Sequence, residues 1–199
     1  MKLANLVESR KYLAQRITNP LVKILSKSGI TPNVLTFVGL ALNVAAAYLI
    51  AVGYFFFGGV LILVSGLFDL LDGALARFNN QVTQFGAILD STIDRVSEAV
   101  IFCGLLIWYM PKGAALEIVL IIAVLIGSFL VSYIRARAEG LGLECKVGLF
   151  TRAERVIVLA AGLLLNQMFI ALCVLAIFTY ITVIQRLVYV KKQTRKGES

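Results

Sequence analysis

Asp69, Asp72, Asp90, Asp94 and Glu98, with Arg77 and Arg95 among them, stand inside otherwise apolar stretches of the chain. Asp69 and Asp72 are three apart, and Ala76 continues their stripe. Asp90 and Asp94 are four apart, with Gly86 one turn before them. Helical neighbours at these spacings share a face. If the two segments form a tight antiparallel hairpin through residues 79–83, four carboxylates converge near one end of it. Left alone they repel one another. Divalent cations remove that conflict, and oxygen ligands in a chain without histidine suit Mg²⁺, Mn²⁺ or Ca²⁺ rather than zinc. Two such ions a few Å apart are a recurrent device for displacement at phosphorus. Gly73, Ala76 and Gly86 let a helix or a phosphate group approach the backbone, and Arg77 can grip a diphosphate with its fork. The plainer readings are helix packing for the glycines and snorkelling to the interface for Arg77.

The elements that must position these groups follow from composition. The chain has 199 residues, 60% of them hydrophobic and 15% charged, and its mean hydropathy is +0.91. A soluble domain is about 45–50% apolar and about 25% charged. Several apolar stretches reach the ~20 residues that a helix needs to cross a bilayer. This excludes a soluble enzyme, a disordered tail and a disulfide-stapled secreted domain, and predicts an all-α polytopic membrane protein. A mid-membrane aspartate facing lipid costs about 2.5–3.5 kcal/mol, so the acids must face a cavity, a metal or one another. Nineteen Lys+Arg against eleven Asp+Glu give a formal charge of +8. On a membrane chain this reads as basic flanks against anionic lipid, with no nucleic-acid partner. Cys103, Cys145 and Cys173 read as small apolar residues or bystanders.

Residues 1–30 predict a basic amphipathic helix in the interface, or one docked on the rest of the protein, with no cleaved signal peptide. Leu3, Leu6, Val7, Leu13, Ile17, Leu21, Ile24 and Leu25 keep near-helical spacing in it. Thr31-Pro32 restarts a helix, with a hydroxyl at the N-cap and proline at the first helical position. Six spans are expected, at about 33–52, 57–79, 84–110, 115–138, 151–166 and 168–190. A six-helix bundle over 31–190 and a basic tail over 191–199 complete a single membrane domain, 1–199. Basic residues gather before the first span, on the even-numbered loops and after the last span. Both termini and the acids then face the cytoplasm at the cell membrane.

Asp69-x-x-Asp72-Gly73-x-x-Ala76-Arg77, eight residues, then Gly86-x-x-x-Asp90-x-x-x-Asp94 resembles the full motif of the CDP-alcohol phosphotransferases. Every fixed position is matched at the right spacing. The resemblance implies a six-helix membrane enzyme, a homodimer, that transfers a phosphatidyl-type group from a CDP-lipid to an alcohol and releases CMP. It implies that Asp69, Asp72, Asp90 and Asp94 hold two divalent cations, Mg²⁺ or alternatively Mn²⁺, and that Asp94 is also general base. Gly73 and Arg77 would contact the diphosphate, and Thr83 and Thr31-Pro32-Asn33-Val34 the rest of the nucleotide. Thr31 and Pro32 are equally explained as a helix start. No Ser, Cys or His is arranged as a covalent nucleophile, so direct in-line displacement is expected, with Asp90 and Asp94 central to it.

The acceptor is read from Arg135, Arg152, Arg155 and Arg186, a group of guanidiniums suited to an alcohol that already carries phosphate. Positive-inside flanking with ion pairs to Glu139 and Glu154 is the alternative. Ser132-Tyr-x-x-Ala136-Arg-Ala-Glu139 and Arg152-x-Glu-Arg155 resemble the phosphatidylinositol-phosphate and archaetidylinositol-phosphate synthases of that family. In that group the positions of Arg135, Arg155 and Arg186 bind the phosphate of inositol phosphate. Lysine is frequent at the first, so Arg135 is a departure. The implied partners are CDP-diacylglycerol or CDP-archaeol and inositol phosphate. Glycerol 3-phosphate is the competing acceptor. An ion or metal transporter is a third reading, which would require acids spread across more spans than two.

Overall fold

The computed structural model describes residues 20–27 and 29–197, and the side chains of these up to Arg195. All regular structure among them is helical. A helical stretch, α1 (20–27), precedes α2 (Pro32–Ala51), α3 (Phe55–Phe78) and α4 (Gln84–Tyr109). A single 3-10 turn, Met110–Lys112, leads into α5 (Ala115–Gly140), followed by α6 (Arg152–Leu164) and α7 (Met168–Gly197). Residues 1–19 of the expected interfacial helix lie outside the described residues. Its last turns, in α1, dock through Val22 against Leu35, Leu71 and Leu75 of α2 and α3.

The turns obey local chemistry. Pro32 starts α2 with Thr31 at its N-cap. Asn80, Gly113 and Asn166 take the positive φ that closes the short connections after α3, before α5 and after α6. Gly58 and Gly59 lie near the start of α3. A Cβ on Gly59 would come within 3.2 Å of Leu163, Leu164 and the Ala160 carbonyl, so α6 packs closely there.

α2 packs on α3 and α4, α5 packs on α7, and α6 joins α3 to α7. The core that unites them includes Ile50, Ile62, Phe102, Leu105, Ile121, Leu159, Leu163 and Leu172. Large apolar side chains such as Phe57, Ile107, Leu116 and Val119 face outward, as they do on a lipid-exposed surface.

α2, α3, α5 and α7 are long and apolar enough to cross a bilayer. α4 has 26 residues, but Asp90, Asp94, Arg95 and Glu98 lie within it. α6 has 13 residues and spans about 20 Å, less than a bilayer core of about 30 Å. The reason is visible at its two ends. Arg152, its first residue, meets Asp69 midway along α3, and Leu163 meets Gly59 at the start of α3. α6 thus runs antiparallel to α3 along the N-terminal half of α3, and the irregular segment 142–151 leads into α6. At the other end of the chain, the expected tail continues α7 as helix through Gly197.

Candidate active site

α3 and α4 form the expected hairpin, and α2 lies against both. The Thr36 hydroxyl of α2 donates to Asp72 Oδ2 at 2.6 Å, in an environment where Asp72 is only 4% exposed. Two turns along, Asn43 Nδ2 donates to Ser65 Oγ at 2.7 Å, and the Ser65 hydroxyl donates to the Gly39 carbonyl at 3.0 Å. Gly39 has a steric task as well, since a Cβ there would sit 3.1 Å from Asp69 Oδ1. Thr36, Gly39 and Asn43 were not among the expected site residues. Their spacing of three and four in an apolar helix was the available signal, because it puts all three on one face.

A cavity of about 430 Å³ opens between α2, α3 and the start of α4. It brings together Thr31, Pro32, Asn33, Gly73, Arg77 and Thr83, six of the seven residues assigned to the nucleotide; Asp72 and Asp90 also reach its wall. The seventh, Val34, is an exposed residue of α2 that does not line it. Two threonines at helix starts behave differently here. Thr83 Oγ1 accepts the Gly86 N–H at 2.9 Å and caps α4, whereas the Thr31 side chain makes no capping bond to α2.

A second cavity, of about 510 Å³, lies on the other side of the acids. Asp69, Asp90, Asp94, Glu98, Arg152 and Arg155 give its charged wall, Asn43, Ser65 and Ser97 also line it, and Asp90 lines both cavities. Arg152 Nη1 sits 2.7 Å from Asp69 Oδ2 and 2.8 Å from Asp94 Oδ1. Arg95 Nη1 is 3.7 Å from the other Asp94 oxygen. One turn further along α6, Arg155 donates from Nε and Nη2 to the two oxygens of Glu98, at 2.7 and 2.8 Å. Arg152 Nε and Arg155 Nη1 are buried without a hydrogen-bond partner.

The other two arginines are engaged elsewhere. Arg186, buried in α7, donates from Nε to the Val147 carbonyl at 2.9 Å and from Nη1 to the Val131 carbonyl. Thr182 Oγ1 and Gln185 Oε1 accept the N–H groups of Phe150 and Leu149, each at 3.1 Å. One face of α7 therefore pins the segment that delivers α6 and its arginines. Arg135 is 51% exposed and pairs with Glu139 at 2.8 Å. Arg186 lies within Coulombic range of both Arg135 and Arg155, while Arg152 is held by Asp69 and Asp94, so the four are loosely grouped. Glu154 accepts the Thr151 N–H at 2.8 Å, as an N-terminal cap of α6.

The donor set fits a hard divalent cation: four aspartates supply only oxygen, and two of them already share one positive charge on Arg152. As they stand, no three acidic side chains among the described residues converge closely enough to hold one ion.

Known proteins place this arrangement in context. The family profile described as CDP-alcohol phosphatidyltransferase matches residues 29–188. A phosphatidylinositol phosphate synthase of Mycobacteroides abscessus is 39% identical over 188 residues, covering 90% of this chain and 85% of its own. An archaetidylinositol phosphate synthase of Pyrococcus horikoshii is 37% identical, covering 92% and 96%. The crystal structure of Mycobacterium tuberculosis phosphatidylinositol phosphate synthase with CDP-DAG bound superposes with a TM-score of 0.80 at 36% identity, covering 88% of this chain and 94% of that one. The same enzyme in complex with manganese and citrate also gives 0.80 at 36% identity, covering 87% and 88%. With the motif, the helical fold and the paired cavities in agreement, the chain belongs to the CDP-alcohol phosphatidyltransferase family of membrane enzymes.

Proposed function

We propose that the protein transfers the phosphatidyl or archaetidyl group of a CDP-lipid to inositol phosphate and releases CMP. The observation that carries this is the pair of cavities meeting at Asp90, one lined by Arg77, Thr83 and Thr31, the other by Arg152 and Arg155. A nucleotide diphosphate fits the first and a phosphorylated acceptor the second, with the acids between them. The relatives' names point the same way, and the Mycobacterium tuberculosis structure held CDP-DAG.

In this reading Gly73 gives the diphosphate close access to the α3 backbone, while Arg77 grips its oxygens. Asp69, Asp72, Asp90 and Asp94 hold two divalent cations, Mg²⁺ or Mn²⁺, in keeping with the manganese of the homologous crystal. Bound there, the ions supply charge neutralisation of the diphosphate and of the departing CMP. Asp94 takes the proton of the acceptor hydroxyl as its oxygen attacks the β-phosphorus. The bond from that phosphorus to the bridging oxygen breaks, and CMP leaves with the electron pair. Arg152, Arg155, Arg186 and Arg135 bind or attract the acceptor's phosphate. The bundle of six membrane helices, α6 completed by segment 142–151, sets both termini and the site on the cytoplasmic side. The Lys and Arg residues on that face support this orientation.

The test is CMP release by the purified chain in detergent with CDP-diacylglycerol and Mg²⁺. Inositol phosphate, glycerol 3-phosphate and free inositol are offered separately. Release with inositol phosphate alone is expected. Release with glycerol 3-phosphate alone keeps the catalytic core and discards the acceptor. Silence with all three, repeated with CDP-archaeol, overturns the proposal.

A further inference from the structure

α4 and α6 do not pack closely against each other. The larger cavity lies between them, and two ion pairs cross it, Asp94–Arg152 and Glu98–Arg155. Glu98 lies on the same face of α4 as Asp90 and Asp94, one turn beyond the last acid of the motif. Its partner is 57 positions away in the sequence, and both side chains are nearly inaccessible, 3% for Arg155 and 9% for Glu98.

The pairing is bidentate through Nε and Nη2. Two parallel bonds fix the guanidinium plane as well as its position, which a single contact does not do. They also leave the third nitrogen, Nη1, buried without a partner on a residue that lines the cavity. A buried N–H group left unpaired in a native structure calls for an explanation, and a ligand anion is one. Both Glu98 oxygens are engaged by Arg155, so Glu98 is poorly placed to bind a metal or carry a proton. Its charge instead makes burial of the Arg155 cation tolerable beside apolar neighbours such as Phe102 and Leu159.

We propose that Glu98 is a positioning residue for the acceptor: it holds Arg155 so that the free Nη1 edge meets the acceptor's phosphate. This rests on the reading of Arg155 as an acceptor-phosphate ligand. Glu98 itself does not touch the substrate. Without it, Arg155 keeps its charge but loses its fixed plane, and the loss falls on acceptor binding rather than on the CDP-lipid.

The experiment compares Glu98→Gln, Glu98→Asp, Arg155→Ala and the double variant Glu98→Gln/Arg155→Ala. KM is measured separately for CDP-diacylglycerol and for whichever phosphorylated acceptor supports CMP release. Arg155→Ala should raise the acceptor KM about tenfold or more. Glu98→Gln should raise it by about five- to tenfold, with the CDP-lipid KM within about twofold of wild type. The double variant should be no worse than Arg155→Ala, because the two residues act as one unit. Glu98→Asp, which keeps the charge but shortens the reach, should fall between wild type and Glu98→Gln, and it serves alone if Glu98→Gln does not fold. A raised acceptor KM in Arg155→Ala with a wild-type KM in both Glu98 variants overturns the positioning role and leaves the acceptor pocket standing. Equal rises for both substrates, or additive effects in the double variant, also overturn it. If Arg155→Ala leaves the acceptor KM unmoved, the pocket assignment fails and this inference fails with it.

Discussion

On the α2–α3–α4 side of the site, hydroxyls and a side-chain amide do the holding: Thr36 on Asp72, Asn43 on Ser65, Ser65 on the Gly39 carbonyl. Thr36 and Asp72 line the smaller cavity together with Thr31 and Arg77, while Asn43 and Ser65 reach the larger one. On the α5–α6–α7 side, Arg135, Arg152, Arg155 and Arg186 each already hold a carboxylate or a backbone carbonyl. The first wall is preorganised by groups that carry no charge of their own. The second is a set of cations whose present partners must be shared with, or released to, an incoming anion. Changes on the first wall should therefore act on turnover and on the CDP-lipid. Changes on the second should act on the acceptor and on stability.

The largest effect expected is on the acids between the two walls. Asp90→Asn or Asp94→Asn should lower CMP release by about 1,000-fold or more, since in the proposed mechanism each removes a metal ligand and the second also removes the base. Neither should lower the melting temperature in detergent, because removing one of several crowded like charges need not destabilise. Loss of folding in either variant would mean that the acids hold the bundle together, and the division into two walls would lose its hinge.

Thr36→Val tests the preorganised wall directly. It keeps the shape and deletes the donor to Asp72. A hydrogen bond to a charged group contributes about 1.5–3 kcal/mol, so kcat/KM for the CDP-lipid should fall by about 10- to 100-fold. The acceptor KM should not move. A shift in acceptor KM alone would place Asp72 on the wrong wall.

Thr36 also marks the boundary of what could be read from the chain before its fold was known. The grouping of the acids was legible because their spacing within two adjacent helices is short and local; the nucleotide group rested on the family resemblance instead. Six of the seven residues assigned to the nucleotide line one cavity because α2 packs on α3 and α4. That packing brings Thr31, Pro32 and Asn33 beside Gly73, Arg77 and Thr83, a tertiary contact that periodicity does not encode. The local pair of Arg135 with Glu139 was legible, but the partners of Arg152, Arg155 and Arg186 were not. Glu98 and Arg155 are 57 residues apart, and Arg186 reaches carbonyls 39 and 55 residues away. No periodicity encodes contacts of that separation. The shortness of α6 was hidden for the same reason: hydropathy measures a segment's length in lipid, and the depth at which α6 begins is set by the ion pair of Arg152 with Asp69.

Arg152→Ala probes the cationic wall where it touches the acids. Arg152 now shares one nitrogen between Asp69 and Asp94. In chelator, its removal leaves these carboxylates facing each other, and the melting temperature should drop by a few degrees. Added Mn²⁺ should restore it by more than it raises wild type, because the ion then meets no competing guanidinium. An Mn²⁺ response identical to wild type would show that Arg152 and the metal do not share these acids.

The smallest effect expected is that of Arg135→Ala. The residue is half exposed, and its pair with Glu139 is an i,i+4 contact on a helix surface. Such a pair stabilises by about 0.3–0.5 kcal/mol, so the melting temperature should barely change. Its charge still reaches Arg186, which is within Coulombic range of Arg155 at the larger cavity. The acceptor KM should therefore rise by about two- to threefold at low ionic strength and return towards wild type in high salt, since screening removes a long-range contribution first. Arg135→Lys keeps the charge and should show no rise. A tenfold rise that survives high salt and is not rescued by lysine would mean that Arg135 forks the phosphate directly. The loose group of arginines would then have to close around its ligand, and the contrast between a preorganised wall and a yielding one would become a contrast between a fixed jaw and a moving one.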